Sequence, residues 1–163
     1  MNLELTAQRD DRADETPIAF RMTKPLLFTA DDASVDFRAQ VWCSDADVTR
    51  NAARLRAFHE RIRGAGINDE LTLTFGVARG DSPLDVHPGK CTLDFFFTPP
   101  KRIIVSVRLT SLQPGRNTSD LLDTCMVHFE TAGHCIEEFV GHLEQSSDIP
   151  WRASLRGFEV GEA

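Results

Sequence analysis

Residues 91–109 read CTLDFFFTPPKRIIVSVRL, and this stretch decides the fold. Cys91, Leu93, Phe95 and Phe97 alternate with Thr92, Asp94 and Phe96. After Pro99-Pro100-Lys101 the pattern resumes, with Ile103, Val105, Val107 and Leu109 alternating with Ile104, Ser106 and Arg108. A period of two places alternate side chains on one face of a strand. The connection between the runs is too short for a parallel crossover, so the two strands pair antiparallel.

Working outward, Leu71, Leu73, Phe75 and Val77 predict a strand before this hairpin, and Leu121 to Phe129 a strand after it. Gly80-Asp81-Ser82-Pro83, His87-Pro88-Gly89, Pro114-Gly115 and Asn117 supply the breaks between them. The result is a meander. Upstream, Ser34 to Cys43 is another strand, with Val35, Phe37, Ala39, Val41 and Cys43 opposite Asp36, Arg38, Gln40 and Trp42. Pro17 to Thr23 predicts one more, with Ile18, Phe20 and Met22 on one face.

Two helices punctuate the strands. Ser44-Asp45-Ala46-Asp47 offers N-cap oxygens and first-turn acid to a helix carrying Val48, Ala52, Leu55, Phe58 or His59, and Ile62, ended by Gly64 and Gly66. Thr131 is the expected cap of the second, whose stripe is Cys135, Ile136, Phe139, Val140 and Leu143. Ser146-Ser147 and Pro150 stop it before a last strand, Trp151 to Phe158. The helices share a pattern, Leu55-x-x-Phe58-x-x-x-Ile62 and Ile136-x-x-Phe139-x-x-x-Leu143. Any amphipathic helix offers such a stripe, and an internal duplication would produce it too.

The expected architecture is therefore α+β: an antiparallel meander of about six to seven strands with both helices on one face. Residues 1–16 read as an N-terminal arm, with Leu3 and Leu5 forming a short edge strand or loose segment before a charged linker from Gln8 to Glu15. Residues 17–163 read as a single domain.

Composition sets the compartment and the partners. With 163 residues, 41% of them apolar, the chain suits one globular domain. No run of 18 apolar residues predicts a membrane span, and Met1-Asn2-Leu3-Glu4-Leu5 lacks a secretory signal, so a cytoplasmic location is expected. There Cys43, Cys91, Cys125 and Cys135 are expected to be reduced core residues, and the Asn117-Thr118-Ser119 sequon inert. The net charge of −7 disfavours nucleic acid, whose binders need clustered positive charge, and is compatible with a basic partner.

No catalytic constellation stands out. Cys125-x-x-His128 with His134-Cys135 holds four zinc-type ligands, but Cys125 and His128 are three apart on a strand and should point to opposite faces. A Cys–His nucleophilic pair lacks a local signature, and no GxSxG, GxGxxG or Walker sequence is present. The pairs Asp10-Asp11, Asp31-Asp32 and Glu137-Glu138 lie in polar surroundings with nothing to desolvate one member. The expectation is thus no catalytic residue, no cofactor and no metal. The first helix bears an outer row of Arg50, Arg54, Arg56, Arg61 and Arg63, with Arg56 and Glu60 spaced for an i,i+4 pair. Trp42, on the polar face of its strand, is either covered by the N-terminal arm or open to a partner. Trp42, Arg50, Arg54 and Arg61 are the expected partner-binding residues.

From about Val35 to Trp151 the chain resembles the WapI-type immunity proteins, bacterial proteins that neutralise wall-associated polymorphic toxins. The likeness lies in Trp42, the LRAFHERI helix (Leu55 to Ile62), and the strands LTLTF (Leu71 to Phe75), CTLDFFF (Cys91 to Phe97) and IIVSVRL (Ile103 to Leu109). It continues through VHFET (Val127 to Thr131) into the IEEFVGHL helix (Ile136 to Leu143). The resemblance implies a protein binder that inhibits a toxin domain by covering its active surface, without chemistry of its own. Two other readings stay open: a small enzyme pairing a cysteine with His59, His128, His134 or His142, and a scaffold that homodimerises through a sheet edge or Trp42.

Overall fold

The computed structural model describes residues 3–10, 17–25, 34–64, 67–76, 89–112 and 122–158. Within them the chain runs β1 (Leu3–Arg9), β2 (Ile18–Pro25), β3 (Ser34–Val41), α1 (Asp45–Gly64), β4 (Asp69–Phe75), β5 (Gly89–Thr98), β6 (Arg102–Leu112), β7 (Leu122–Thr131), α2 (Gly133–Glu144) and β8 (Trp151–Gly157). Val77, the turns expected between Gly80 and Pro88, the Pro114–Asn117 loop with its sequon, and Asp31-Asp32 lie outside the described residues.

The architecture is α+β and wholly antiparallel, with two helices packed against the strands. β5 and β6 form the expected hairpin, with Phe97 opposite Ile103 and Leu93 opposite Val107. The strands divide into two sheets of four, β3-β2-β1-β8 (sheet A) and β4-β5-β6-β7 (sheet B). β1 is an interior strand, not an edge or loose arm. It pairs with β2 on one side and β8 on the other, placing Leu5 beside Met22 and Leu155. Leu3, Leu5 and Ala7 are buried in the core, and Thr6 is buried on the opposite face.

Glycines allow the sheets to meet. Glu130 and Phe158 exchange backbone hydrogen bonds of 2.9 and 2.8 Å, joining β7 to the end of β8. A Cβ on Gly157 would stand 2.1 Å from Phe129 Cδ2 and 2.6 Å from the Glu130 carbonyl oxygen, so only glycine fits at this corner. At the other corner, a Cβ on Gly89 would meet the Gln40 carbonyl oxygen at 2.0 Å.

The two halves repeat one plan. Each is a four-stranded meander leading into a helix: β4-β5-β6-β7 then α2, and β8-β1-β2-β3 then α1, with β8 supplied from the far end of the chain. The ladders align row by row. Trp151, Arg9, Ile18 and Val41 form one inward row of sheet A; Asp69, Phe97, Ile103 and Thr131 form its counterpart in sheet B. The shared helical stripes, Leu55/Phe58/Ile62 and Ile136/Phe139/Leu143, are buried. The halves differ in helix length, 20 residues against 12, and α1 carries its surplus ahead of the shared stripe.

The helices run antiparallel. Arg63 near the end of α1 pairs with Glu137 near the start of α2 at 3.2 Å, and Arg56 pairs with Glu144 near the end of α2. Arg56 thus reaches across to the other helix instead of pairing with Glu60 on its own. Between sheets and helices, Phe20 and Phe75 lie with ring centroids 5.3 Å apart, and Phe58 and Phe95 lie 6.1 Å apart. Ser44 caps α1 as expected, its Oγ accepting from the Asp47 N–H at 3.1 Å. Thr131 does not cap α2. The N-cap is Ala132, and the Thr131 hydroxyl donates instead to the Arg156 carbonyl at 2.7 Å, tying β7 to β8.

Candidate functional site

The arginines expected to meet a partner are mostly occupied within the molecule. Arg50 pairs with Asp47 one turn earlier, and Arg61 with Asp69 at 3.1 Å. The Arg61 guanidinium also stands 5.8 Å from the centroid of the Phe58 ring. Arg54 is exposed and makes no ion pair among the described residues. Trp42 continues the outward face of β3 and is 37% exposed. Trp42 and the helix arginines do not converge on one described pocket.

The thiols are set apart by burial. Desolvation pushes Cys91 well above the ordinary thiol range and raises Cys43 and Cys125, which keeps these sulfurs protonated and weakly nucleophilic. Cys125 is half-buried while His128 is exposed on the other face of β7, as their three-residue spacing requires. Among the described residues, no group of three or more metal-ligating side chains is assembled. One Cys–His contact does exist: Cys135 Sγ lies 3.4 Å from His134 Nε2 in the first turn of α2. Cys135 is buried, at 7% exposure, and the two residues are chain neighbours.

His59 is buried on the side of α1 that faces α2. Its side chain faces Gly133, and its Nδ1 lies 3.6 Å from Glu137 Oε1. Burial lowers its pKa, opposed by the Glu137 carboxylate and assisted by Arg63 and Arg56.

The outward face of sheet B carries the feature that residue-by-residue reading passed over. Ladder register places Glu70, Phe96, Ile104, Glu130 and Phe158 in one row across four strands and the adjoining corner. Phe96 and Phe158 are each 41% exposed, and Met126, two rows away beside Arg108, is 50% exposed. Ile104 and the buried Glu130 stand between the two phenylalanines, so the exposed apolar side chains are spaced along this face. Two acidic groups belong to the row and one lies in the next: Glu70 has no side-chain partner among the described residues, Glu130 is held by Arg102 at 3.2 Å, and Asp94, one row on, accepts from the Thr72 hydroxyl at 2.6 Å. At the β4 end lies an open depression of about 430 Å³ lined by Asn68, Asp69, Glu70, Phe96, Phe97 and Thr98.

The signal was present in the sequence, since Phe96 and Ile104 sit on the polar phase of their strands. Only the register shows that they adjoin. No protein-family model, no curated protein and no solved structure matches this chain. Among the described residues, no helix is long and apolar enough to cross a membrane.

Proposed function

We propose that this protein is a non-catalytic protein binder, and specifically an immunity protein that neutralises a bacterial toxin domain by covering it. The observation that supports this reading is the outward row Glu70–Phe96–Ile104–Glu130–Phe158. Exposed aromatic anchors beside carboxylates suit a partner that presents apolar side chains within a basic surface. The net charge of −7 favours encounter with the same kind of partner. Titration calorimetry against a toxin domain encoded beside this chain tests the proposal. Phe96→Ala should weaken binding by about 1–3 kcal/mol, and an unchanged affinity would remove the row from the interface.

A second reading rests on the Cys135–His134 contact: a small thiol-dependent enzyme using that pair. It requires Cys135 to react under native conditions and His134→Ala to slow that reaction. A Cys135 that stays unmodified until the protein unfolds excludes it.

A further inference from the structure

The backbone groups along the edge of a sheet pair with any strand that arrives unless something blocks them. Among the described residues, three edges are guarded. On β4 the Thr74 carbonyl accepts from the Asn51 side-chain amide at 2.8 Å, and the Glu70 N–H donates to Asp69 Oδ1 at 2.9 Å. β3 carries Asp36 and Arg38, and β8 carries Arg152 and Arg156. β7 has no such guard. Its stretch Thr124-Cys125-Met126-Val127-His128-Phe129 contains no Asp, Glu, Lys, Arg, Gly or Pro, and no described strand pairs with its outer side there.

The Glu130–Phe158 bridge fixes which groups are open. Glu130 both donates to and accepts from Phe158, so its two backbone groups point away from β6. Alternate residues of an antiparallel strand repeat that orientation, and the β6–β7 register runs unbroken through this stretch. The N–H and C=O of Thr124, Met126 and His128 therefore face the open edge. Phe158 stops the edge at Glu130, and β7 begins at Leu122, so the open stretch is centred on Met126. At 50% exposure, Met126 is the most exposed large apolar side chain in any described strand. We propose that this edge pairs with the same edge of a second copy of this chain, antiparallel about a two-fold axis at Met126. A two-fold interface has to be self-complementary. This one is: Met126 meets its own counterpart, Thr124 meets the counterpart of His128, and no charged side chains are set face to face. All three residues then exchange both backbone hydrogen bonds with the other copy. The two B sheets become one sheet of eight strands, four from each copy. Edge pairing leaves the outward face of each sheet uncovered, so the inference stands apart from the toxin-binding reading. The short pairing and the net charge of −7 on each copy make the dimer a weak one.

Sedimentation velocity of the full chain, from micromolar to millimolar concentration, should show a monomer passing into a dimer. Amide hydrogen exchange followed by NMR reads where the copies meet. The N–H groups of Thr124, Met126 and His128 should exchange more slowly as concentration rises, while those of Glu70 and Thr72 on the guarded β4 edge should not change. Met126→Lys, at an exposed position, sets two cations together on the axis and should raise the dimer dissociation constant by about tenfold or more. A monomer throughout, a dimer that leaves the three amides unchanged, or a dimer equally tight in Met126→Lys would overturn the inference. So would protection of those amides at every concentration that is lost on deleting residues 159–163, because the edge would then belong to those residues. None of these measurements involves a toxin domain, so failure here is separable from failure of the immunity reading.

Discussion

His59 Nδ1 stands 3.6 Å from Glu137 Oε1, and a Cβ on Gly133 would lie 2.8 Å from His59 Nε2. The imidazole is therefore wedged between the two helices against the first turn of α2. Burial holds its pKa below the ordinary 6.5, with the pull of Glu137 only partly offsetting desolvation. The unfolded chain then binds the proton more readily than the folded one. This contribution to stability is complete above 6.5 and is lost as pH falls through the depressed folded value. Urea midpoints measured on either side of that window should fall more steeply for the wild type than for His59→Gln. Parallel curves would place the acid sensitivity elsewhere.

The same contact predicts a size-dependent clash. Gly133→Ala should destabilise the protein by roughly 1–3 kcal/mol, because the added methyl meets a ring that packing holds in place. Placing it in a His59→Ala background should remove most of that penalty, a coupling that a double-mutant cycle reads directly. Additive penalties would show that the two residues do not touch in solution.

Arg9 locks β1 to the start of α1. Arg9→Ala removes the Asp45 pair and the bond to the Cys43 carbonyl and leaves a void, at an expected cost of about 2–4 kcal/mol. Arg9→Met keeps the volume of the stem and should cost less. Denaturant unfolding of both variants decides the matter; a loss below about 1 kcal/mol for Arg9→Ala would mean the buried guanidinium contributes little.

The cysteines should label in an order set by burial. Cys91 is fully buried, with its thiol shifted far from ionisation, so it should resist alkylation until global unfolding. Cys43 and Cys125 are only partly covered and should react first. Mass spectrometry after a timed pulse of alkylating agent gives the order, and early modification of Cys91 would contradict the packing described.

Much of the fold was legible in the sequence because the signals were local. Alternation in 91–109 fixed the hairpin, and the three-and-four spacing of Leu55, Phe58 and Ile62 fixed the buried side of α1. What escaped was non-local. Leu3 and Leu5 look like an arm until Leu155 and Met22 are seen on either side of β1, a pairing between opposite ends of the chain. The division into two sheets has no local mark either: Gly157 and Gly89, where the backbones come too close for a Cβ, carry no periodic signal. Arg56 has Glu60 at helical spacing, yet its partner is Glu144, because antiparallel packing of the helices brings a better-oriented carboxylate. The candidate surface failed to register for a related reason: Phe96 and Ile104 adjoin only across the β5–β6 ladder, and Phe158 only across the β7–β8 corner.

Inhibition stoichiometry tests the central proposal most directly. The activity of a toxin domain encoded beside this chain should fall in proportion to added protein and vanish at one equivalent, with Phe96→Ala shifting the curve and thiol alkylation leaving it unmoved. Inactivation by a small fraction of an equivalent, abolished by blocking Cys135, would mean turnover, and the binding account would be wrong.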